Sequence, residues 1–338
     1  MSGPARILVR APTWVGDAVM ATPALRALRA AHPSAEIVVE GRPALAPLLG
    51  ALPGIDAYLA DAGVLAARTR ALRAGRFDWA VLLPDSVRAA LGPFLARIPR
   101  RTGYARDPLR RALVTEALQA PRSGRRRLPL AGVERYLRIT RQLGCPDRGR
   151  ELELCVEPRA REQAALRLAA QGVGPEDDVL LVTPGASYGP SKRWPPAHFA
   201  RACDGIARRL GLRPVVAPAP GEAELARAVA EQAATPLTLL LDPPLNLAEL
   251  AALVERARLV LSNDTGPRHL AAALDTPVVV VIGPTNPIHS ASEFRDQRVL
   301  RENVPCSPCQ LRVCPIDQRC LTRIGPERAV AAAESLLT

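Results

Sequence analysis

Lysine and aromatic residues are scarce in this sequence. Of its 45 basic residues, 44 are arginine and only Lys192 is lysine. Aromatic residues make up 3% of the chain, which argues against the base-stacking surfaces of proteins that bind single-stranded nucleic acid. The sequence also lacks a helix-turn-helix, zinc-finger or RNP signature. We therefore expect no nucleic-acid partner, although the net charge is +12.

Long apolar runs and the common nucleotide-binding motifs are missing as well. No segment approaches the ~18 uncharged apolar residues of a membrane-spanning helix, and the first residues lead into a predicted strand without a signal-peptide core. We therefore expect a cytosolic protein. Gly-x-Gly-x-x-Gly and Walker A sequences are absent, which argues against the usual dinucleotide-binding and P-loop proteins.

Alternating strands and helices predict an α/β chain of two doubly wound domains, at 1–157 and 158–338. Strands are predicted at 7–10, 36–40, 57–59 and 79–83, with helices at 17–31, 43–49, 64–74 and 87–96. A second alternation has strands near 179–182, 214–217, 237–241, 259–261 and 278–282. Each domain should be a parallel sheet covered on both faces. We expect the two domains to face a central cleft, with ligands beyond the carboxyl ends of the strands.

Residues 262–267, Ser-Asn-Asp-Thr-Gly-Pro, end one predicted strand and open a helix. Unpaired N–H groups at a helix N-terminus bind phosphate, and His269 one turn later could add a donor. The alternative is that Asp264 or Thr265 merely caps the helix. The combination of these residue types favours an anion site over a cap alone.

Lys192 follows another predicted strand, in a loop rich in glycine and proline. A compact ammonium group suits a phosphate contact, whereas arginine serves where any positive charge is enough. The alternative is a chance survivor in a composition biased towards arginine. The position of Lys192 in a strand-end loop favours a ligand contact.

Two further strand ends carry candidate carboxylates. Asp17 follows Trp-Val-Gly at a strand-to-helix turn, where spacing alone favours a helix N-cap, and a general base is the alternative. Glu222 and Glu224 follow residues 218–221, Pro-Ala-Pro-Gly. Either glutamate could bind ribose hydroxyls or simply begin a solvated helix.

Residues 185–189 match the Gly-x-Ser-x-Gly nucleophile elbow, with Ser187 as its serine. Asp264 or Asp275 and His289 could then complete a hydrolase triad. An elbow serine is followed at once by a helix, whereas several prolines keep this stretch irregular. The pattern therefore disfavours a serine hydrolase.

Four cysteines lie within fifteen residues, at Cys306, Cys309, Cys314 and Cys320. In a reducing cytosol disulfides are the poorer explanation. The first pair has metal-like spacing but the second does not, so a structural metal and free thiols remain equal alternatives.

Excess positive charge is concentrated in the first half of the chain. It lies in four groups, Arg68, Arg70, Arg73 and Arg76; Arg97, Arg100 and Arg101; Arg106, Arg110 and Arg111; and Arg122, Arg125, Arg126 and Arg127. Four groups in one domain predict a face that contacts phosphates or anionic lipid headgroups.

Three motifs in this order resemble glycosyltransferase family 9, over essentially the whole chain. They are residues 14–17, residues 184–186 with 191–195, and residues 262–266 with His269. The resemblance implies a GT-B fold of two Rossmann-like domains and an inverting, metal-independent transfer of L-glycero-D-manno-heptose from ADP-heptose. The Trp-Val-Gly-Asp form resembles the branch that extends the first heptose of the lipopolysaccharide inner core, more than its sibling branch.

The resemblance also implies residue roles and partners. By position, Asp17 matches the catalytic base and Lys192 a diphosphate contact. The matched donor-binding positions are Ser187, Glu222, Glu224, Asp264, Thr265, Gly266 and His269. The implied acceptor is a phosphorylated lipid A–inner core bound by the first domain, at the inner face of the cytoplasmic membrane. A nucleotide-sugar epimerase and a non-catalytic lipopolysaccharide-binding module remain as alternatives.

Overall fold

The computed structural model describes residues 4–120, 122–123, 126–127 and 129–338. The chain divides into two compact units, Met1–Cys155 and Val156–Thr338. Among the described helices, none has the length and apolar character needed to cross a bilayer.

The first unit is built on a parallel sheet of six strands in the order β3-β2-β1-β4-β5-β6. These strands are β1 (Arg6–Arg10), β2 (Glu36–Gly41), β3 (Ala57–Ala60), β4 (Trp79–Leu82), β5 (Arg100–Tyr104) and β6 (Glu116–Leu118). The inner strands are runs of aliphatic residues, and Ile7, Leu8 and Val9 are fully buried. A strand with both faces covered by helices has this composition.

The helices of the first unit connect these strands. They are α1 (Val15–Met20), α2 (Thr22–Ala31), α3 (Ala46–Leu49), α4 (Leu65–Ala74), α5 (Val87–Leu95), α6 (Pro108–Leu113) and α7 (Gly132–Gln142), with a 3-10 turn at Pro43–Leu45. A single helix at 17–31 was the wrong prediction, since α1 and α2 are separate and Pro23 lies in the first turn of α2. Proline lacks the N–H that would continue the earlier helix, so a new helix begins there.

The basic stretch at 121–129 carries the last of the four arginine groups. Its described part forms two short antiparallel strands, β7 (Arg122–Ser123) and β8 (Arg126–Arg127). Residues 121, 124, 125 and 128, and with them Arg125, lie outside the described residues.

The second unit repeats the same topology, with strand order β11-β10-β9-β12-β13-β14. Its strands are β9 (Val179–Thr183), β10 (Arg213–Val216), β11 (Thr238–Leu239), β12 (Leu259–Asn263), β13 (Val278–Ile282) and β14 (Gln297–Arg301). In both sheets the strand order reverses at the first strand, between β1 and β4 and between β9 and β12. Ligands of doubly wound folds bind beyond the carboxyl ends of the strands at such a switch point.

Helices cover this second sheet as well. They are α8 (Pro158–Ala170), α9 (Pro196–Leu210), α10 (Ala223–Ala230), α11 (Leu247–Arg256), α12 (Gly266–Ala273), α13 (Arg319–Thr322) and α14 (Pro326–Leu337), with 3-10 turns at Pro190–Lys192 and Pro287–Ser290. The core includes Leu180, Phe199 and Leu261, all fully buried. The C-terminal helix α14 packs on α9, where a Cβ on Gly205 would lie 2.5 Å from Val330.

Candidate functional site

In the second unit, a buried asparagine connects the loops that follow β9 and β12. Asn263 is the last residue of β12 and is fully buried. Its Oδ1 accepts a hydrogen bond from Trp194 N at 3.0 Å, and its Nδ2 donates to Pro184 O at 2.7 Å. Both ends of the Lys192 loop (residues 184–195) are therefore fixed to the switch point.

Asp264, directly after β12, is the centre of the polar contacts at this edge. Lys192 Nζ donates to its backbone oxygen at 2.7 Å and to Oδ2 at 3.1 Å. Arg268 Nη1 donates to Oδ1 at 2.8 Å, and Thr285 Oγ1 donates to Oδ2 at 2.7 Å. Only 4% of Asp264 is exposed. Its oxygens are thus occupied, and its contacts fix the position of the lysine ammonium.

The charge of Asp264 is stabilised by these partners. Burial alone would raise the pKa of its carboxyl, but Lys192, Arg268 and the Thr285 hydroxyl hold that pKa well below its usual range. Two cations flank this one carboxylate, so the group as a whole remains positive. A positive group beside a helix N-terminus is suited to an anionic ligand.

Arg268 was not among the residues predicted from the sequence. It is 3% exposed, and besides Asp264 it contacts Ser290 Oγ at 3.1 Å and Gln297 Oε1 at 2.9 Å. The available signal was its spacing of four residues from Asp264, which brings a side chain on the first turn of α12 back towards the residue that precedes the helix. Thr285 carries no comparable signal, because 21 residues separate it from Asp264.

Helix α12 begins immediately beside this group. Thr265 occupies its N-cap position, but its hydroxyl points to Asn263 O at 3.4 Å and does not cap the helix amides. The alternative that the Thr265 side chain caps the helix is therefore not supported. The first amides of α12, starting at Gly266, are arranged to face an anion.

His269 lies on the first turn of α12 and is 5% exposed. Burial, and then the positive charge of Arg268, lower the pKa of its imidazole from 6.5 to about 3. The ring is neutral at neutral pH. It can donate one N–H hydrogen bond to a ligand but adds no positive charge.

The two predicted ribose-binding glutamates lie in different surroundings. Glu222 is 9% exposed, and its carboxylate accepts hydrogen bonds from Ala186 N at 3.0 Å and Arg193 Nη2 at 3.1 Å. A Cβ on Gly185 would lie 1.6 Å from this carboxylate, so any larger residue there would displace the Glu222 side chain from its present position. The Glu224 side chain is exposed and pairs with Arg227. Glu222 therefore orders the edge of the Lys192 loop, whereas Glu224 faces solvent.

Ser187 is exposed in a turn closed by Gly189 N and Ala186 O at 3.2 Å. The 3-10 turn Pro190–Lys192 follows it, not an α-helix. A nucleophile elbow requires a serine between a strand and a helix. Since Asp264 is also committed to two cations, the structure does not support a serine hydrolase.

In the first unit, Asp17 lies at the switch point beyond β1. Trp14, not Asp17, is the N-cap residue of α1, so the prediction of an N-cap aspartate is wrong. Asp17 is the third residue of the helix, and Tyr136 Oη donates to its Oδ1 at 3.2 Å. Burial and the nearby Asp17 charge raise the pKa of Tyr136 well above its usual value. The phenol therefore stays protonated and remains a hydrogen-bond donor.

The arginines of the first three groups, which the structure describes, do not all lie on one basic face. Arg68 and Arg110 are buried: Arg68 Nη2 donates to Glu40 Oε2 at 2.8 Å, and Arg110 Nη2 donates to Pro84 O at 2.8 Å. Arg100 lies at the start of β5, pairs with Glu116 at 2.7 Å and lies 3.9 Å from the Trp79 ring centroid. Because the sheet is parallel, Arg100 lies at the amino ends of the strands, whereas Asp17 lies beyond their carboxyl ends.

The four clustered cysteines are free thiols. Cys306 and Cys309 are exposed, Cys314 is half-buried and Cys320 is buried. Within the described ranges, no three His, Cys, Asp or Glu residues are grouped so that they could hold a metal ion. The structure therefore gives no support to the predicted structural metal.

Solved structures that are similar to this chain indicate the class of protein to which the fold belongs. The structure of glycosyl transferase family 9 from Veillonella parvula matches with a TM-score of 0.84 and 25% identity, covering 98% of this chain and 97% of that chain. The structure of Escherichia coli ADP-heptose LPS heptosyltransferase II matches with a TM-score of 0.82 and 26% identity over 98% of each chain. Two Rossmann-like units with these neighbours define a glycosyltransferase of the GT-B type.

The sequence comparisons place the chain within that class. A profile of glycosyltransferase family 9 (heptosyltransferase) matches residues 65–319. Lipopolysaccharide heptosyltransferase 2 of Salmonella typhimurium is 31% identical over 316 residues, 88% of each chain. The chain belongs to glycosyltransferase family 9. The predicted resemblance, fold class and enzyme class are thereby confirmed, and neither the epimerase nor the hydrolase alternative is supported.

Proposed function

We propose that this glycosyltransferase transfers L-glycero-D-manno-heptose from ADP-heptose to the first heptose of the lipopolysaccharide inner core, with inversion at the anomeric carbon. The observation that carries the proposal is the group of Lys192, Asp264 and the N-terminus of α12 at the switch point of the second unit. Its net positive charge suits the diphosphate of a nucleotide sugar. The similarity to a lipopolysaccharide heptosyltransferase 2 and to an ADP-heptose LPS heptosyltransferase II supports ADP-heptose as the donor and lipopolysaccharide as the acceptor.

In this mechanism the second unit binds the donor and stabilises the leaving group. The bond between the anomeric carbon and the diphosphate oxygen breaks, and its electron pair remains on ADP. Lys192, the α12 amides and the neutral His269 N–H stabilise the charge that develops there. Asp264 orients Lys192, Glu222 orders the adjacent loop edge, and Ser187 and Thr265 lie on the loops beside them. In this proposal these groups stabilise the leaving ADP without a cofactor.

The first unit binds the acceptor and supplies the base. The Asp17 carboxylate takes the proton of the acceptor hydroxyl while that oxygen forms its bond to the anomeric carbon. Tyr136 donates to Oδ1 of the same carboxylate and so fixes its orientation. Tyr136 acts through Asp17 and is a positioning residue.

The acceptor in this proposal is a phosphorylated lipid A–inner core presented at the inner face of the cytoplasmic membrane. The protein would act there as a cytoplasmic, peripheral enzyme. Support comes from the similarity to lipopolysaccharide heptosyltransferase 2 and from the excess of arginine in the first unit. Cationic side chains near an anionic membrane surface contribute ~1 kcal/mol each.

The deciding experiment incubates the purified protein with ADP-heptose and an inner-core acceptor that already carries one heptose. We expect release of ADP and a mass increase of one heptose on the acceptor. An acceptor without heptose is the control, and equal transfer to it would point to addition of the first heptose instead. Absence of ADP release with either acceptor would overturn the proposal.

A further inference from the structure

The segment with the clustered cysteines, residues 306–320, lies against the Lys192 loop. In this cysteine-bearing segment, Arg312 O accepts a hydrogen bond from Ser191 N at 3.1 Å, and Leu311 O accepts one from Ser191 Oγ at 2.5 Å. Tyr188 Oη donates to Gln310 O at 2.6 Å. Three consecutive carbonyl groups thus fix the part of the loop that leads into Lys192.

A glycine makes this close approach possible. Gly189 has φ of +155°, and a Cβ at this position would lie 2.5 Å from Arg312 O. Any other residue would push the two backbones apart. The backbone of Arg312 is therefore held against the Lys192 loop.

The cysteine-bearing segment also contacts the loop after β13. Ser307 Oγ donates to Gly283 O at 2.8 Å, and Gln310 N donates to Pro284 O at 2.9 Å. The next residue, Thr285, is the one that donates to Asp264. The segment therefore connects the two loops whose side chains, Lys192 and Thr285, meet at Asp264.

Arg312 places a second cation at this edge. Its guanidinium carbon lies 5.5 Å from the centroid of the Tyr188 ring, and Lys192 Nζ lies 5.4 Å from the same centroid. Lys192 is paired with Asp264, whereas the exposed Arg312 side chain has no ion pair with any carboxylate that the structure describes. Two cations therefore lie near the Tyr188 ring, and within the described residues only Lys192 is paired with a carboxylate.

We propose that Arg312 is a second cationic contact for the phosphates of the donor, held beside Lys192 by the cysteine-bearing segment. The inference rests on the proposed function, in which the donor diphosphate lies at Lys192. A guanidinium group can contact two phosphate oxygens at once, which complements the point charge of the lysine. The cation–π contact with Tyr188 favours a position of the guanidinium near Lys192 before the ligand arrives.

The test measures ADP binding by calorimetry, because binding is independent of the acceptor. We expect Arg312→Gln to weaken ADP binding by about 10- to 100-fold, the usual effect of one charge-assisted hydrogen bond. The same substitution should weaken the binding of AMP, which has one phosphate fewer, by a smaller factor. Arg312→Lys should lie between wild type and Arg312→Gln, because it keeps the charge but not the fork. Arg201→Gln is the matched control, since Arg201 is an exposed arginine on α9 of the same unit.

Two comparisons separate failure of this inference from failure of the proposed function. The inference fails if Lys192→Gln weakens ADP binding but Arg312→Gln binds ADP as tightly as wild type or the Arg201→Gln control. Arg312 would then not contact the donor phosphates. If wild type binds no ADP, both proposals are overturned. Tyr188→Leu compared with Tyr188→Phe provides an independent check, because both variants lose the hydrogen bond to Gln310 O but only the leucine variant loses the ring. We expect the leucine variant to bind ADP more weakly than the phenylalanine variant, and equal affinities would contradict the cation–π contact.

Discussion

At the scale of single residues, the hydrogen bond between Tyr136 and Asp17 makes the proposed base testable. Asp17→Asn should keep the fold and ADP binding but lower the transfer rate by ~10² to 10⁴, the usual weight of general-base catalysis. Tyr136→Phe should lower kcat by about 10-fold with little change in donor KM, because the carboxylate remains but loses its orientation. Steady-state kinetics with ADP calorimetry on both variants checks this.

The opposite pattern would contradict that assignment. If Asp17→Asn turns over at a near-normal rate, Asp17 has only a structural role in α1. If Tyr136→Phe changes donor KM and leaves kcat alone, the tyrosine contributes to binding and does not position a base.

The single lysine allows a conservative substitution to be informative. Lys192→Arg should raise donor KM by at least ~10-fold although the charge is conserved. Lys192 Nζ contacts both the backbone oxygen and Oδ2 of Asp264 in a half-buried place, and a planar fork cannot reproduce both contacts and still face a phosphate. Donor KM and ADP affinity measure the effect. Values equal to wild type would make the lysine an accident of composition.

At the scale of elements, helix α12 carries a pH-dependent contribution to stability. His269 binds a proton in the unfolded chain below about pH 6.5 but in the folded chain only near pH 3. The unfolded state therefore binds more protons across this window, and stability falls as pH decreases from 6.5 towards 3. His269→Gln should flatten the dependence of Tm on pH between about 4 and 6.5. Parallel Tm curves for the variant and wild type would contradict this.

The sequence predicted the elements whose pattern is local. The valine and leucine runs of β9 and β13, and the periodic helices between them, match the structure within a few residues. Strands β5 and β14 were missed because each begins and ends with polar or arginine residues. Their stability comes from pairing with β4 and β13, which no short sequence window contains.

The candidate site was predictable only where it follows strand ends. Asp264 and Lys192 were found because loops after parallel strands carry ligand contacts. The contacts of Tyr136 with Asp17 and of Gln310 with Tyr188 join residues 119 and 122 positions apart. Such pairs result from the tertiary packing of whole elements, and one sequence gives no local signal for them.

At the scale of the whole molecule, the positive charge predicts how salt affects the two substrates. Exposed charges are screened over ~8 Å at physiological ionic strength, so added salt should raise acceptor KM more than donor KM. Equal salt sensitivity of both KM values would contradict acceptor recognition by exposed cations.

Substitution of two arginines tests where on the first unit the acceptor is bound. Arg106 follows β5, at the carboxyl ends of the strands where Asp17 also lies. Arg100 begins β5, at the amino ends of the strands. Arg106→Gln should raise acceptor KM by about 3- to 10-fold, in line with one cation near an anionic surface. Arg100→Gln is the matched control and should leave acceptor KM unchanged. A larger effect of Arg100→Gln would place the acceptor at the other edge.

The position of the cysteine-bearing segment in the chain has a consequence for biosynthesis. The sheet of the second unit is complete once β14 has been made, at Arg301. The carbonyl groups that fix the Lys192 loop belong to residues 310–312, which leave the ribosome later. During translation there is thus an interval in which the sheet can form while the Lys192 loop still lacks these contacts. We therefore expect the proposed competence to bind the nucleotide sugar to be acquired only after residues 310–312 have been made.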